Sequence, residues 1–249
     1  MAANKLTKVF SQWENPWKKM MYLLWKTPGE QTRNFKETLL NDISTQLFSA
    51  GARSLRFSIV DDDVEAARAL HLVNTLKPID AIVSIWIDSA VFRQPIEQRL
   101  ADVTESFHGY LVTESEPIVN TTQSPNEYNR TPGMSQLAFL RKPVRLDYSE
   151  WIDIWQNSHT RVAIDTQSTF GYRQNAITRP LTVDAPAIDA IVEENFPAAA
   201  MTDQHVFFNT EGNEEKLQSH RNAMAESCKR FIDFDQIDVT ASSEYTMTQ

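Results

Sequence analysis

Trp151, Trp155 and His159 stand four residues apart in "SEWIDIWQNSHTRVA", the spacing that stacks side chains on one face of a helix. The predicted stripe is Trp151, Ile154, Trp155, Ser158, His159 and Val162, with Asp153, Gln156, Asn157 and Thr160 opposite. His159 therefore points inward. A buried imidazole loses hydration and needs a partner. It is either a structural histidine satisfied by a hydrogen bond, or a group held in a pocket to move protons near neutral pH.

Other residues could join such chemistry. Tyr172 and Asn175 lie in the predicted strand "FGYRQNAI", where a phenol and an amide can orient a carbonyl or share its proton. Strand alternation sends them to opposite faces unless the strand bulges. Arg141, inside an apolar strand, either binds a carboxylate or reaches solvent at the strand end. His220 shares a helical face with Leu217, Met224, Ser227 and Phe231 in "KLQSHRNAMAESCKRF", with the same two readings as His159. His205 and His108 precede apolar strands as solvated edge residues, and His71 reads as structural. Cys228 sits on the apolar side of a helix and reads as a packed thiol. The "DDD" at 61–63 reads as a helix N-cap cluster rather than a metal site.

Several chemistries lack their residues. The chain has no G-x-G-x-x-G, phosphate loop, G-x-S-x-G or H-E-x-x-H, and its five histidines show no ligand spacing. No metal and no cofactor is expected. Haem stays open, because one axial histidine suffices for it.

The elements that position these residues follow from composition and repetition. With 249 residues, 41% hydrophobic and 23% charged, the chain can bury one large or two small cores. A net charge of −9 without clustered Lys and Arg argues against nucleic acid. The lysines of "WKKMMYLLWK" bracket an apolar run, as where a strand enters and leaves the interior. A single cysteine excludes an intramolecular disulfide framework and suits a reducing cytoplasm. "MAANKLTKVFSQWENPW" carries no export signal, and no run of 18 apolar residues occurs, so no membrane span is expected.

Two copies of one pattern organise the chain. "MMYLLWK" and "QLAFLRK" each end in lysine and lead through a Pro-containing turn into a helix, at an offset of about 116 residues from Lys26 to Lys142. The same shift carries Phe35, Leu39 and Ile43 onto Trp151, Trp155 and His159, and "SLRFSIV" onto "FGYRQNA". "AIVSIW" matches "HVFFN" at 205–209, helix "AVFRQPIEQRLADVTESF" matches "NEEKLQSHRNAMAESCKRF", and "YLVTESE" matches "IDVTASSE". Each half then reads β-α-β, a short helical connection, β-α-β, the ferredoxin-like split βαβ. The predicted fold is α+β, two ferredoxin-like repeats whose antiparallel sheets pack face to face in one chain. The predicted divisions are an extension at 1–19, a first repeat at 20–118, a linker at 119–135 and a second repeat at 136–249. Ile43 shows that the helix does not need a histidine where His159 stands.

On "LAFLRKP", the helix "YSEWIDIWQNSH" with its W-x-x-x-H, "FGYRQNAI" and "FDQIDVTASSE", the second half resembles an EthD domain of the dimeric α+β barrel superfamily. The first half matches in pattern alone, so the chain resembles a fused tandem. The resemblance implies this barrel and, for function, proteins associated with oxidative degradation or decarboxylation of aromatic polyketide acids. The wider superfamily holds cofactor-free monooxygenases, cyclases, isomerases and haem enzymes.

The expectation is a cofactor-free acid/base lyase or isomerase acting on an apolar cyclic or aromatic keto compound. His159 would be acid or base and Tyr172 would polarise the enolate. Trp151, Trp155, Asn175, Arg141 and His220 would bind substrate. The alternatives are a non-catalytic partner of a degradation enzyme, and a haem or oxygen-using monooxygenase. A cytoplasmic location and a homodimer accompany the expectation.

Overall fold

The computed structural model describes residues 17–248; the N-terminal extension and the reading of its lack of an export signal concern residues outside these, apart from 17–19. The strands are β1 (Lys18–Trp25), β2 (Ala52–Ile59), β3 (Ala81–Ile87), β4 (Ser106–Ile118), β5 (Met134–Leu140), β6 (Gly171–Pro180), β7 (Ala190–Phe196) and β8 (Asp238–Met247). The main helices are α1 (32–49), α2 (Gln94–Ala101), α3 (148–166), α4 (Gln204–Phe207) and α5 (Glu214–Lys229).

All eight strands join antiparallel neighbours in one closed barrel of order β1-β3-β2-β8-β5-β7-β6-β4. The two halves, expected to meet through sheet faces, are also joined edge to edge. β2 pairs with β8 and β4 pairs with β6. Closure leaves no unpaired strand edge in the barrel.

Strands β1, β3, β5 and β7 are buried on both faces over nearly their whole length, and β1, β3 and β5 read as nearly continuous apolar runs. In β1, Met20, Tyr22 and Leu24 pack against Phe35, Leu39 and Ile43 of α1. Met21, Leu23 and Trp25 turn into the barrel, against Leu137, Phe139 and Ile191. In the second half, Ala138, Leu140, Val192 and Val239 face Trp151 and Trp155 of α3. Toward the Lys19 end of β1 the barrel interior becomes ionic. Lys19 Nζ lies 2.7 Å from Glu114 and 2.9 Å from Glu193, and Arg173 pairs with Glu244 and, at 3.6 Å, with Glu193. Lys19, read above as a flanking lysine, is thus buried among carboxylates.

Helices α1 and α3 each contain a π-helical stretch, Thr38–Ile43 and Asp153–His159. A π segment often marks a functional site. Here it ends on Ile43 as well as on His159, so it belongs to the helix and not to the histidine.

Three expectations are corrected. The strand expected at 205–209 is absent: 204–207 is a helical turn whose first amides donate to the Asp203 carboxylate, and the third strand of the second half is β7. The helical connection between second and third strands exists in the first half, at Asp62–Leu70, while 181–189 contains no helix. The Asp61 side chain does not cap that helix. It is buried and accepts from Lys36 Nζ at 2.8 Å, Tyr245 OH at 2.7 Å and Ser243 Oγ at 2.7 Å, so tertiary partners have taken the carboxylate from the helix end.

Candidate active site

A cavity of about 220 Å³ lies between the outer sheet face of the second half and helices α3 to α5. Its aromatic wall is Trp155, Phe207, Phe208 and Phe231, and its polar wall is Gln136, His159, Gln167, Tyr172 and Glu194. A wider concavity of about 540 Å³ beside Lys36, Asp63, Arg130 and Tyr245 is a weaker candidate. Its charges already satisfy one another, with Lys36 on Asp61 at 2.8 Å and Arg130 on Asp63 at 3.5 Å.

The β-ladders show how the polar wall arises. In the first half Met20 pairs with Ile85 and Ile85 with Leu55. On the corresponding rungs of the second half Gln136 pairs with Glu194 and Glu194 with Tyr172. His159 replaces Ile43 above them. Four apolar residues of a fully buried core are thus exchanged for an amide, a carboxyl, a phenol and an imidazole around one space. The fold is served by the apolar set, so packing alone does not call for the polar one.

Each polar group is tuned by burial. His159 Nδ1 is 2.9 Å from Ser227 Oγ on α5, and its ring lies 4.6 Å from that of Phe231. Burial, aided by the nearby Arg230 charge, lowers its pKa to about 4. Burial raises the Glu194 carboxyl to about 7. The Tyr172 hydroxyl accepts from Gln174 Nε2 at 3.0 Å, and burial with the neighbouring Glu194 pushes its pKa up. Burial and Glu194 also hold the Cys228 thiol up at about 12, so this cysteine is protonated packing. At neutral pH the group poised to exchange a proton is Glu194.

Of the residues singled out in the sequence, His159, Tyr172 and Trp155 meet in the cavity. Trp151 is fully buried beside it and donates from Nε1 to the Phe231 carbonyl at 3.1 Å. Asn175 faces the barrel interior, donating to Ile191 O at 2.9 Å and Glu193 at 3.0 Å, as alternation from Tyr172 requires. Arg141 is held by Asp238 at 3.0 Å and Gln236 O at 2.8 Å. His220 Nδ1 is 2.7 Å from Phe208 O and 3.1 Å from Thr166 O, tying α5 to the cavity's aromatic wall. Sequence reasoning missed Glu194, Gln136 and Gln167. For Glu194 a signal existed: "AIV" at 81–83 recurs at 190–192, marking β7 as the counterpart of β3.

The residues present do not fit a haem. Ligand pockets for drug-sized molecules span about 300–1,000 Å³, and a macrocycle would have to displace the walls of a 220 Å³ cavity. Among the described residues no group of three or more His, Cys, Asp or Glu side chains could hold a metal ion, and no helix is long and apolar enough to cross a membrane.

No family model and no curated protein matches the chain in sequence. Solved structures do match. An anthrone oxidase-like protein aligns over 94% of this chain and 92% of its own, at TM-score 0.52 and 8% identity. A provisionally named monooxygenase from Lactobacillus acidophilus NCFM aligns over 94% and 96%, at 0.48 and 10%. A mutant chlorite dismutase from Candidatus Nitrospira defluvii aligns over 94% and 92%, at 0.45 and 8%. The α+β fold around a closed antiparallel eight-stranded barrel is shared with the anthrone oxidase-like protein. At such identities the likeness is one of fold, and fold does not choose a chemistry.

Proposed function

We propose that the chain is a cofactor-free acid/base enzyme acting on a small apolar cyclic or aromatic keto compound. The observation that carries this reading is the exchange of Met20, Ile85, Leu55 and Ile43 for Gln136, Glu194, Tyr172 and His159 around a cavity. Glu194 removes a proton beside the carbonyl, since a base works best with a pKa near the working pH. His159, too weak a base once buried, stays neutral. With Ser227 donating to Nδ1, its Nε2–H donates to the developing enolate oxygen, and the Tyr172 phenol supports the same charge. The proton then returns from Glu194 at another carbon in isomerisation, to a departing hydroxide in dehydration, or to the alkoxide left when the enolate attacks a second carbonyl in cyclisation; in decarboxylation the enolate forms by loss of carbon dioxide and protonated Glu194 supplies the proton to carbon.

The duplication belongs to this proposal. Strands β1 to β4 lie in the order β4-β1-β3-β2, and β5 to β8 in the order β8-β5-β7-β6, the pattern of two ferredoxin-like units. In the second, EthD-like unit, the W-x-x-x-H helix supplies Trp155 and His159 to one cavity.

A second reading is favoured by the likeness to the anthrone oxidase-like protein. The same enolate, formed by the same base, would react with dioxygen. Proton exchange into alpha-tetralone and anthrone in deuterium oxide, followed by NMR, tests the shared step. The protein should accelerate it and Glu194→Gln should abolish the acceleration. No acceleration with either ketone, or acceleration that survives Glu194→Gln, overturns the proposal. Oxygen uptake with anthrone separates the second reading from the first.

A further inference from the structure

Two glutamates follow each other on β7, and the fold treats them differently. Glu193 turns into the barrel, where Lys19 lies at 2.9 Å and Arg173 at 3.6 Å. Glu194 turns outward into the cavity, where among the described residues no lysine or arginine lines the space. It is 8% exposed, and burial alone, with no bonded or charged partner, raises its carboxyl to about 7. A buried carboxylate without a cation is costly, and one with a cation is held. Gln136 is its neighbour on the rung, on strands about 4.8 Å apart, and the Gln136 amide likewise has no partner among the described residues. The polar atoms of both side chains stay reachable, in contrast to Gln167 Oε1, which is partnerless but sealed from any water-sized group. The cavity thus holds two adjoining acceptors beside the rings of Trp155, Phe207, Phe208 and Phe231, and it withholds the cation.

We infer that the missing cation arrives as a ligand: the cavity binds an arylalkyl ammonium ion whose N–H groups donate to the Glu194 carboxylate and to Gln136 Oε1, with its ring on the aromatic wall. Charge sets the class. An ammonium carries three donors and no acceptor, which suits two neighbouring oxygens, and aromatic rings attract cations as well. An anion would find no opposite charge, and a neutral ligand leaves the ionised carboxylate unpaired. The binding stands on the cavity itself. Its consequence rests on the proposed reading: a Glu194 paired with an ammonium is a weaker base, so the amine competes with the ketone and silences proton exchange.

The probes are 1-aminotetralin and 1-tetralol, which keep the rings of alpha-tetralone and differ from each other in the cation, with binding read by calorimetry on the full chain. At pH 8 the protein should bind the amine about 10–100-fold more tightly than the alcohol, as one hydrogen bond to a charged group allows. Below pH 7 the amine should weaken by about tenfold per pH unit, because Glu194 takes up its proton there, while the alcohol stays unchanged. The other groups facing Glu194 keep their charge from pH 8 to 5.5: His159 on α3 is lowered to about 4, and Tyr172 on β6 and Cys228 on α5 are raised. Strands β5 and β8 and helix α4 present no ionisable side chain to the cavity. Glu194→Gln, which keeps the size and removes the charge, should erase most of the preference and all of the pH slope. Equal affinities at pH 8, binding of neither probe, an amine affinity flat in pH, or a preference that survives Glu194→Gln overturns the inference. Should Glu194→Gln fail to fold, the pH slope of the unsubstituted chain decides by itself. Ketone proton exchange, with and without the amine, is measured in parallel. An ammonium preference without exchange sinks the acid/base reading and leaves the ammonium site standing, whereas exchange without that preference does the reverse.

Discussion

Tyr22 fills in the first half the space that Ala138 leaves open in the second. The two occupy the same rung: Tyr22 pairs with Val83 and Gly109, and Ala138 with Val192 and Val239. The Tyr22 ring lies over Gly109, where a Cβ would strike it, and its hydroxyl reaches Glu97 at 3.1 Å. Replacing ring by methyl on β5, beneath a helix that stays in place, leaves a void that close-packed interiors otherwise avoid. The cavity is therefore written into strand β5 as much as into the histidine above it.

Refilling that space should close the site. The Tyr22 ring has the room that Gly109 gives it, and the second half has Val239 in that place, so the ring is brought in with the paired change Ala138→Phe and Val239→Gly. The double variant is expected to slow alpha-tetralone proton exchange at least about tenfold while the thermal midpoint stays within a few degrees, because the ring and the room for it are exchanged together. NMR and circular dichroism check both halves of the statement. Undiminished exchange would place the reacting ketone elsewhere.

Opposite pH dependences should be hidden in the stability of the chain. Glu194 is raised in the fold from its ordinary 4.5 to about 7, so its contribution is present below pH 4.5 and lost as pH rises through about 7. His159 is lowered from 6.5 to about 4, so its contribution is present above pH 6.5 and lost as pH falls through about 4. Each is worth on the order of 3 kcal/mol over its window, and between pH 4.5 and 6.5 the two slopes oppose. Urea titrations should show Glu194→Gln becoming steadily more stable as pH rises through 4 to 6.5. His159→Ile should become less stable from 4.5 to 7. Parallel profiles for the two variants would show that neither group is tuned by burial.

The barrel and the His159 helix were legible because they rest on period and repetition: apolar runs at a fixed offset, and a stripe at helical spacing. Strand β7 was not, because "AIVEENF" places two glutamates in succession where a half-buried strand would alternate. The structure gives each a buried berth on a different face. Glu193 turns into the barrel toward Lys19 and Arg173, and Glu194 turns outward into the cavity. Long-range charge partners leave no local signature, and "HVFF" offered a better strand by composition than the strand that formed. Ala138 and Gln167 were silent for another reason, since a void and a missing partner are properties of assembled neighbours.

The ionic interior should behave as a unit. Burial alone would raise the Glu193 carboxyl, yet Lys19, Arg173 and Arg56 override it and hold it well below the usual carboxylate range. Glu193→Leu leaves two buried cations facing it without that anion and should cost about 3–5 kcal/mol in urea denaturation. Arg161→Ala, which breaks only the exposed pair with Asp165 at 3.2 Å, should cost about 0.5 kcal/mol or less. Similar losses from both would mean the barrel charges contribute no more than surface pairs.

His159→Ile copies what α1 already uses at Ile43, so it refills the space and removes only the imidazole. The first half shows that a buried isoleucine sits on this helix without strain at 1% exposure, and the variant should fold. If His159 donates to the enolate oxygen, ketone proton exchange should fall roughly 10²–10³-fold, the range for one lost oxyanion donor. Glu194→Gln should fall by about 10²–10⁴-fold, the range for a positioned base. A histidine present only to satisfy Ser227 across α3 and α5 would give another pattern: a loss of about 1–3 kcal/mol in stability from the orphaned hydroxyl, with exchange per folded molecule unchanged. Exchange rate and urea midpoint measured on the same preparation separate these outcomes, and a stable, fully active His159→Ile would leave Glu194 and Tyr172 to carry the chemistry without it.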